Sequence, residues 1–304
     1  MIIGIDIGGT KIAVAGFALD DGPGRVRVTD VHTFPTPARE GGPAIVRAVV
    51  DAVRVVRGGG VVGAVGVGTA GVVGPDGAIT SATDAISGWA GFRLQDELAD
   101  ALGAPVTVIN DVHAAAVAES EQGAGRGADG MLMVAVGTGI GGAVVLPDGL
   151  RRGITGTAGS VGHMEVALPP RLAERRCPCG GLGHVEAVAS GPGLERTYFE
   201  ESGVALPLRE VHAAALRGDA LAERVILDGA RYLGRALAGA NAVLDVEVIV
   251  VGGGVAEVGE RYLAEVGAAY RAAAMSGPSR ARVVPAQRGI EATLTGAALV
   301  ARIV

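Results

Sequence analysis

Short apolar runs alternate with longer amphipathic segments along most of this 304-residue chain. The runs are rich in β-branched residues and end at glycines, which is typical of buried strands. We predict strands at 1–7, 11–18, 62–67, 106–109, 131–136, 142–146 and 247–251. Alanine-rich segments with helical periodicity predict helices at about 43–57, 92–102, 111–122, 219–243 and 257–273. Strands that alternate with helices in this way predict an α/β protein.

One pattern occurs twice. Residues 2–17 and residues 132–146 each read as a buried strand, a glycine- and threonine-containing turn, and a second strand. A repeat at this spacing predicts a duplicated β-hairpin, with one copy in each of two related halves that face each other across a cleft. A tight break between the halves is expected near 110–113.

Two uncharged stretches, 58–75 and 131–147, require a test against membrane helices. The first contains eight glycines and the second four, grouped as in turns. A membrane-spanning helix needs about 20 mostly apolar residues. We therefore interpret both stretches as buried strands joined by glycine loops.

Composition narrows the possible partners. The net charge is −6 with no basic block, and only 3% of the residues are aromatic. Both features argue against nucleic acid as the main partner. The N-terminus has no basic segment before its apolar run, and the two cysteines are too close in sequence to form a useful disulfide. We expect a cytoplasmic protein with no membrane partner.

The first glycine loop covers Asp6 to Lys11 and joins two predicted strands. Gly8 and Gly9 would let a phosphate approach the backbone amides, and Thr10 would add a hydroxyl donor. Asp6 is placed to hold Mg²⁺ through water. The alternative is a plain hairpin whose glycines serve the turn geometry.

Two further loops have similar chemistry. The segment 137–142 repeats the hairpin chemistry, and in the segment 248–257 a buried strand leads through Gly252, Gly253 and Gly254 into a helix. The backbone of the triple glycine would pass close to a flat ring such as adenine. The alternative is an ordinary strand-to-helix turn.

Asn110 and Asp111 lie where a buried strand meets an alanine-rich helix. Either residue would serve as a helix N-cap, since Asn and Asp accept the free N–H groups of a first turn. The functional alternative makes Asp111 a general base that accepts a proton from a substrate hydroxyl during phosphoryl transfer.

Three metal-binding residues share one glycine-rich loop. Cys177, Cys179 and His184 fit a tetrahedral zinc site that lacks one ligand, and His163 is the best candidate for the fourth. His32, His113 and His212 lie in less constrained settings. The alternative is a pair of reduced cysteines beside an exposed histidine.

With these motifs in order, the chain resembles the ROK family of bacterial sugar kinases. The resemblance is carried by GIDIGGTK (4–11), NDVHAAAVAE (110–119), GTGIGGAVV (137–145), GHMEV (162–166), CPCGGLGHVEAVASGPGLER (177–196) and EVIVVGGGV (247–255). It implies an actin-like ATPase (ribonuclease H-like) fold with two α/β domains flanking a cleft. We expect one domain at 1–112, completed by a C-terminal helix at 291–304, and a larger domain at 113–290 with the zinc loop.

The resemblance also implies roles for single residues. Asp111 would be the catalytic base. The ATP-binding residues would be Asp6, Gly8, Gly9, Thr10, Lys11, Gly137, Thr138, Gly139, Gly141, Gly252, Gly253 and Gly254. The sugar-binding residues would be Gly71, Asn110, Asp111, Ser160, His163 and Glu186. The zinc ligands would be His163, Cys177, Cys179 and His184.

Two positions depart from the family pattern. His184 stands where the family usually has a third cysteine, and histidine still binds zinc. Ser160 stands where the family usually has a glutamate that binds ring hydroxyls, three residues before His163. We expect the loss of this charge-assisted hydrogen bond to weaken glucose binding by about tenfold to a hundredfold. Serine would also leave room for a larger substituent, such as that of an amino or N-acyl sugar.

We expect an ATP-dependent kinase that uses Mg²⁺ and phosphorylates a hydroxyl, expected to be the 6-hydroxyl, of a hexose or hexose derivative such as glucose. The alternative substrate is an amino or N-acyl hexose, namely kanosamine, N-acetylglucosamine or N-acetylmannosamine. A more distant alternative is a non-catalytic, sugar-sensing regulator. DNA-binding relatives carry a helix-turn-helix segment ahead of the first strand, which here begins at Met1. The resemblance further suggests a homodimer.

Overall fold

The computed structural model describes residues 1–19 and 26–302. The strands are β1 (Ile2–Ile7), β2 (Lys11–Leu19), β3 (Val26–Pro35), β4 (Ala64–Thr69), β5 (Val72–Val73), β6 (Ile79–Ser81), β7 (Val106–Asn110), β8 (Met131–Val136), β9 (Ile140–Leu146), β10 (Gly149–Arg151), β11 (Val248–Gly252) and β12 (Arg282–Pro285). The helices are α1 (Gly42–Arg57), α2 (Leu94–Leu102), α3 (Asp111–Gln122), α4 (Pro170–Ala173), α5 (Glu186–Ala189), α6 (Gly191–Ser202), α7 (Leu208–Leu216), α8 (Ala220–Leu244), α9 (Glu260–Ala273) and α10 (Ala292–Ala301). Short 3₁₀ turns cover Val161–His163, Ala256–Val258, Pro278–Arg280 and Gly289–Glu291.

Each predicted strand and helix is present, with shifts of a few residues at the ends. The helix predicted from 257 begins at Glu260, because Gly259 has a φ of 122° and interrupts the helical path after a 3₁₀ turn. The predicted C-terminal helix is α10, and residues 303–304 lie outside the described residues. Strand β3 was not predicted, because most of its residues are exposed or half-buried and leave no apolar run.

The chain divides by its contacts into two compact units. Unit 1 contains Met1–Gly127, Leu150–Ala158 and Arg288–Val304, and unit 2 contains Ala128–Gly149 and Gly159–Gln287. Helix α3 packs against α10, which places both in unit 1. The domain boundaries at 112/113 and 290/291 stay a prediction.

The duplicated hairpin is confirmed, and each copy belongs to a five-stranded sheet of the same plan. The first sheet has the strand order β3-β2-β1-β4-β7 and lies in unit 1. The second has the order β10-β9-β8-β11-β12, and its strands β8, β9, β11 and β12 belong to unit 2. The first strand of each hairpin pairs antiparallel with its partner, β1 with β2 and β8 with β9. On its other side it pairs parallel with the next strand, β4 or β11. The two uncharged stretches form strands of these sheets, as expected.

Glycines let helix α10 lie directly on the sheet of unit 1. A Cβ added to Gly4 would lie 2.4 Å from the carbonyl oxygen of Leu294, and one added to Gly66 would lie 1.8 Å from that of Ala297. A Cβ added to Gly296 would lie 1.7 Å from the carbonyl oxygen of Ala114 in α3. These contacts place α10 between the sheet and α3.

Among the described residues, no helix combines the length and the apolar character that crossing a membrane requires.

Candidate active site

Parallel pairing brings three strand ends of unit 1 to one edge of its sheet. Strand β1 pairs in parallel with β4, and β4 pairs in parallel with β7. Ile7 is therefore opposite Thr69, and Thr69 is opposite Asn110. Asp6 and Asp111 thus come to the same edge from positions far apart in sequence.

Asn110 is the N-cap of α3, as one interpretation of the sequence allowed. Its Oδ1 accepts the N–H groups of Val112 at 2.9 Å and His113 at 3.2 Å. Its Nδ2 donates to the carbonyl oxygen of Gly71 at 2.9 Å. Gly71 has a φ of 101°, and an added Cβ would lie 2.8 Å from the carbonyl oxygen of Ser81, so the position requires glycine. The side chain of Asn110 therefore couples the helix start to this turn.

Asp111 is the first residue of α3 and is half-buried. Burial raises the pKa of its carboxyl group, against the opposing effect of hydrogen bonds from the N–H of Val112 and from Asn110. Burial also raises the pKa of Asp6 to about 7, helped by the charge of Asp111 and opposed by Lys11. Two adjacent carboxyl groups with raised pKa values favour binding of a cation.

The tip of the first hairpin contains the predicted phosphate-binding residues. The N–H of Gly8 donates to the carbonyl oxygen of Lys11 at 3.0 Å, which closes the turn. Thr36, which follows β3, donates its hydroxyl to the carbonyl oxygen of Gly8 at 2.8 Å. Thr10 and Lys11 are exposed at the tip. The hydroxyl of Thr36 thus stabilises the turn, and the side chains of Thr10 and Lys11 remain accessible to solvent.

In unit 2 the second and third glycine loops pack on each other. The second hairpin turns over Gly137–Gly139, and a bond from the N–H of Gly137 to the carbonyl oxygen of Gly139 closes it at 2.8 Å. Gly253 has a φ of 89°, and a Cβ there would lie 2.5 Å from the carbonyl oxygen of Val136. Val255 donates its N–H to that same oxygen at 2.9 Å.

Helix α6 also begins at the second hairpin. The N–H of Gly191 donates to the carbonyl oxygen of Gly137 at 2.8 Å, and Ser190 caps the helix by accepting the N–H of Gly193. No role was assigned to this helix start from the sequence. The serine N-cap followed by Pro192 in the first turn was the available signal.

Of the remaining predicted nucleotide-binding residues, Thr138 is exposed at the hairpin tip, whereas Gly141 lies within β9 opposite Ala135. Gly252 is the last residue of β11, and Gly254 is exposed beyond it. Their roles toward ATP stay predictions.

The four predicted zinc ligands lie together. The ligand atoms of His163, Cys177, Cys179 and His184 are all within 4.8 Å of one another. Sγ of Cys177 is 3.6 Å from Nδ1 of His163, and Sγ of Cys179 is 3.2 Å from Nδ1 of His184. Tetrahedral zinc holds such atoms about 3.3–3.8 Å apart. The set therefore fits zinc after a small contraction.

Local hydrogen bonds shape the metal loop, which we define as residues 177–184. The N–H of Cys177 donates to the carbonyl oxygen of Gly181 at 2.8 Å, and the N–H of Gly180 donates back to that of Cys177 at 2.8 Å. A Cβ on Gly181 would lie 2.4 Å from the ring of His184, so only glycine fits beneath this ligand. Burial and the hydrogen bond to Glu186 raise the pKa of the Cys177 thiol, and zinc would displace that proton.

Arg175 anchors the metal loop to α6. Its buried guanidinium donates to the carbonyl oxygen of Gly193 at 3.1 Å and to the hydroxyl of Thr197 at 2.8 Å. It also pairs with Glu200 at 2.7 Å. Sequence reasoning missed Arg175, because an arginine in a charged loop has no distinctive pattern.

Ser160 and Glu186 flank the ligands. Ser160 precedes the 3₁₀ turn that carries His163 and is half-buried. Glu186 opens α5 and is 8% exposed, with Oε2 accepting the N–H of Ile140 at 2.7 Å. The sequence did not predict this contact with the second hairpin.

A family model described as the ROK family matches residues 2–303 of the chain. A glucokinase of Halalkalibacterium halodurans is 35% identical over 294 residues, covering 90% of this chain and 86% of that protein. An N-acetylmannosamine kinase of Citrobacter koseri is 33% identical over 264 residues, covering 87% of this chain and 86% of that protein.

The solved structures that are similar to this chain include ROK kinases. A ROK hexokinase from Thermus thermophilus has a TM-score of 0.88 at 36% identity, covering 99% of this chain and 98% of that chain. A ROK family glucokinase from Streptomyces griseus, in complex with glucose and AMPPNP, has a TM-score of 0.82 at 33% identity. That match covers 100% of this chain and 99% of the other. The predicted actin-like ATPase fold is thereby confirmed.

Proposed function

The chain belongs to the ROK family, and on that premise we propose that it is an ATP-dependent kinase that transfers the γ-phosphoryl group to a hydroxyl of a hexose. The relatives named glucokinase support glucose or a related hexose as the acceptor. The 6-hydroxyl is the proposed site of transfer.

The observation that carries the proposal is the setting of Asp111. Its carboxyl group lies at a strand end beside Asp6, and burial raises its pKa. A carboxylate whose pKa is raised accepts a proton more readily as the sugar hydroxyl attacks. Proton transfer contributes part of the rate in phosphoryl transfer, and positioning and charge stabilisation contribute most of it.

The glycine loops would bind the nucleotide. The hairpin tips at Gly8–Lys11 and Gly137–Gly139 would present to the phosphates backbone N–H groups other than those of Gly8 and Gly137, which close the turns. Gly252–Gly254 would border the adenosine. Asp6 would hold Mg²⁺, which neutralises phosphate charge. The raised pKa of Asp6 beside a second carboxyl group supports a cation there.

The family motif also assigns residues to sugar recognition. Asn110 would use its amide group and Gly71 its backbone. Ser160, His163 and Glu186 would bind ring hydroxyls. Each of these assignments rests on the family motif.

Zinc, when bound, would cross-link the segment carrying His163 to the metal loop. Its chemistry would be structural, because all four candidate ligands come from the protein and a closed tetrahedral site leaves no position for a substrate. Binding of this kind contributes directly to folding of a loop rich in glycine.

We also propose that the kinase is a cytoplasmic homodimer. Free cysteines and use of ATP support a reducing compartment. Light scattering coupled to gel filtration would test the dimer, and a monomer at micromolar concentration would contradict it.

The decisive experiment combines a coupled ADP-release screen with Asp111→Asn. The screen covers hexoses, hexosamines and N-acetylhexosamines. For the preferred sugar, Asp111→Asn should lower kcat by a factor on the order of 10² or more, while calorimetry shows sugar binding within a few-fold of wild type. Absence of ADP release with every sugar would overturn the kinase and revive a non-catalytic sugar-binding role.

A specific observation favours the second candidate, a kinase of an amino or N-acyl hexose. Ser160 supplies a short neutral side chain where the family has glutamate, and a relative named N-acetylmannosamine kinase is similarly close in sequence. In the same screen, preference for an N-acetylhexosamine over glucose would select this candidate.

A further inference from the structure

Glu186 contacts both the metal cluster and the second hairpin within unit 2. Its Oε2 accepts the N–H of Ile140 at 2.7 Å, and Sγ of Cys177 donates to its Oε1 at 3.3 Å. Zinc would remove the donor proton of that thiol, and Glu186 would then stay connected to the cluster through the chain, two residues after His184. A Cβ added to Gly139 would lie 2.7 Å from the same Oε2. The backbone of the hairpin tip therefore rests on the carboxylate, with no space for a side chain between them.

The turn that carries the metal ligand His163 also contacts Ile140. Gly162 immediately precedes His163, and a Cβ on Gly162 would lie 2.0 Å from the carbonyl oxygen of Ile140. The N–H of Ile140 thus meets Glu186, while its carbonyl group meets the turn that carries His163.

Backbone contacts and one side-chain contact join the segment that carries His163 to the metal loop and the residue after it, since Sγ of Cys177 lies 3.6 Å from Nδ1 of His163. Val185 donates its N–H to the carbonyl oxygen of Met164 at 3.0 Å, and His184 forms an isolated bridge with Glu165. A metal that bonds both His163 and the cysteines of the metal loop would fix the segments together. It would also fix the contacts that Ile140 makes with Glu186 and with Gly162.

We propose that Glu186 is a positioning residue that ties the tip of the second hairpin to the metal cluster, so that metal binding strengthens nucleotide binding. This inference rests on the proposed function, in which the tip at Gly137–Gly139 binds phosphates. A tip whose amides are already aligned loses less conformational freedom when the nucleotide binds. Glu186 and the metal would supply that alignment together.

The test is a thermodynamic cycle on the full chain. Calorimetry without sugar would measure the Kd of AMPPNP with Mg²⁺ for zinc-loaded and chelator-treated protein, both as wild type and as Glu186→Ala. We expect metal removal alone and Glu186→Ala alone each to raise Kd by roughly tenfold. In the Glu186→Ala protein, metal removal should add less than about twofold, because the connection is already broken.

A conservative variant separates positioning from general damage. In Glu186→Gln the amide oxygen still accepts the N–H of Ile140, so nucleotide affinity should return to within about threefold of wild type. Amide hydrogen exchange at Ile140 should accelerate in Glu186→Ala and on metal removal, and should stay slow in Glu186→Gln. General destabilisation would not produce this pattern at one amide.

Two further variants test the proposal without metal removal, in case the protein unfolds when the metal is removed. Gly139→Ala places a methyl group against Oε2 of Glu186 and leaves the ligands in place, so it should weaken nucleotide binding at normal zinc content. Arg176→Ala is the matched control, because Arg176 is exposed and its Nη1 donates to the carbonyl oxygen of Gly180 within the metal loop. That variant should keep both the zinc and the nucleotide affinity.

The outcomes distinguish the inference from the function on which it rests. Failure of zinc-loaded wild type to bind AMPPNP would overturn the proposed kinase and the inference together. A Kd of AMPPNP that is the same in wild type, Glu186→Ala and Gly139→Ala would overturn the inference alone. Fully additive losses in the cycle would also overturn it.

Discussion

The carboxyl group of Asp6 lies close enough to Asp111 for the charge of Asp111 to raise the pKa of Asp6. The two residues are far apart in sequence and meet because β1 and β7 both pair with the strand between them. Burial raises the pKa of Asp6 from 3.8 to about 7, and the charge of Asp111 adds to this effect. The folded protein therefore holds a proton on Asp6 at pH values where the unfolded chain has lost it.

This pKa shift predicts a pH-dependent effect of Asp6→Asn. Because the folded pKa is raised, the stability contributed by Asp6 is present below about pH 4 and is lost as the pH rises to about 7. Asp6→Asn removes that loss. The Tm of Asp6→Asn minus the Tm of wild type should be larger near pH 8 than near pH 4, as measured by thermal unfolding without Mg²⁺. The same Tm difference at both pH values would contradict the shifted pKa.

Asn110→Ala should reduce both stability and turnover. The substitution removes two cap hydrogen bonds at α3 and the bond to Gly71. We expect a loss of about 1–2 kcal/mol in the free energy of unfolding, measured by denaturant titration. Turnover in the ADP-release assay should fall as well, because the cap also positions Asp111.

The matched control is Asp219→Ala, which removes the N-cap of α8. Asp219 accepts the N–H groups of Leu221 and Ala222 at 2.9 and 3.1 Å. Its loss should cost similar stability and leave turnover per folded molecule unchanged. Equal losses of turnover in the two variants would mean that Asn110 acts only as a cap.

Metal analysis should find about one zinc per chain. Removal by a chelator should lower the Tm, because the metal loop would lose the bonds that hold it to the segment carrying His163. Gly181→Ala should lose zinc, since its methyl group would meet the His184 ring. His184→Cys should retain zinc, because a thiolate replaces the imidazole. Purified protein that is free of metal and equally stable with and without added zinc would contradict the site.

Ser160→Glu should shift sugar preference toward glucose. A carboxylate at this position can accept a ring hydroxyl, and such a bond is worth roughly tenfold to a hundredfold in affinity. The ratio of kcat/KM for glucose to that for an N-acetylhexosamine should rise by at least about tenfold. Ser160→Ala is the control and should leave the ratio near its wild-type value. An unchanged ratio in Ser160→Glu would show that Ser160 lies away from the sugar.

Local patterns were sufficient for much of the fold. Apolar runs with glycine ends marked β1, β2, β8 and β9, because a buried strand needs a continuous apolar sequence and a tight turn needs glycine. The repeated hairpin pattern also predicted two related halves. Strand β3 escaped prediction because its exposed residues follow no such rule.

The metal ligands show which part of the site could be predicted from the sequence and which part could not. Cys177, Cys179 and His184 could be grouped from the sequence because they share one short loop, and His163 was added as the best remaining histidine. Proximity between residues that are distant in sequence is set by packing, and single-sequence periodicity carries no record of it. The contact of Glu186 with Ile140 and the closeness of Asp6 to Asp111 therefore emerged only from the folded chain. Composition and spacing specified which chemical groups the protein has, and the pairing of strands and the packing of loops decided which of them meet.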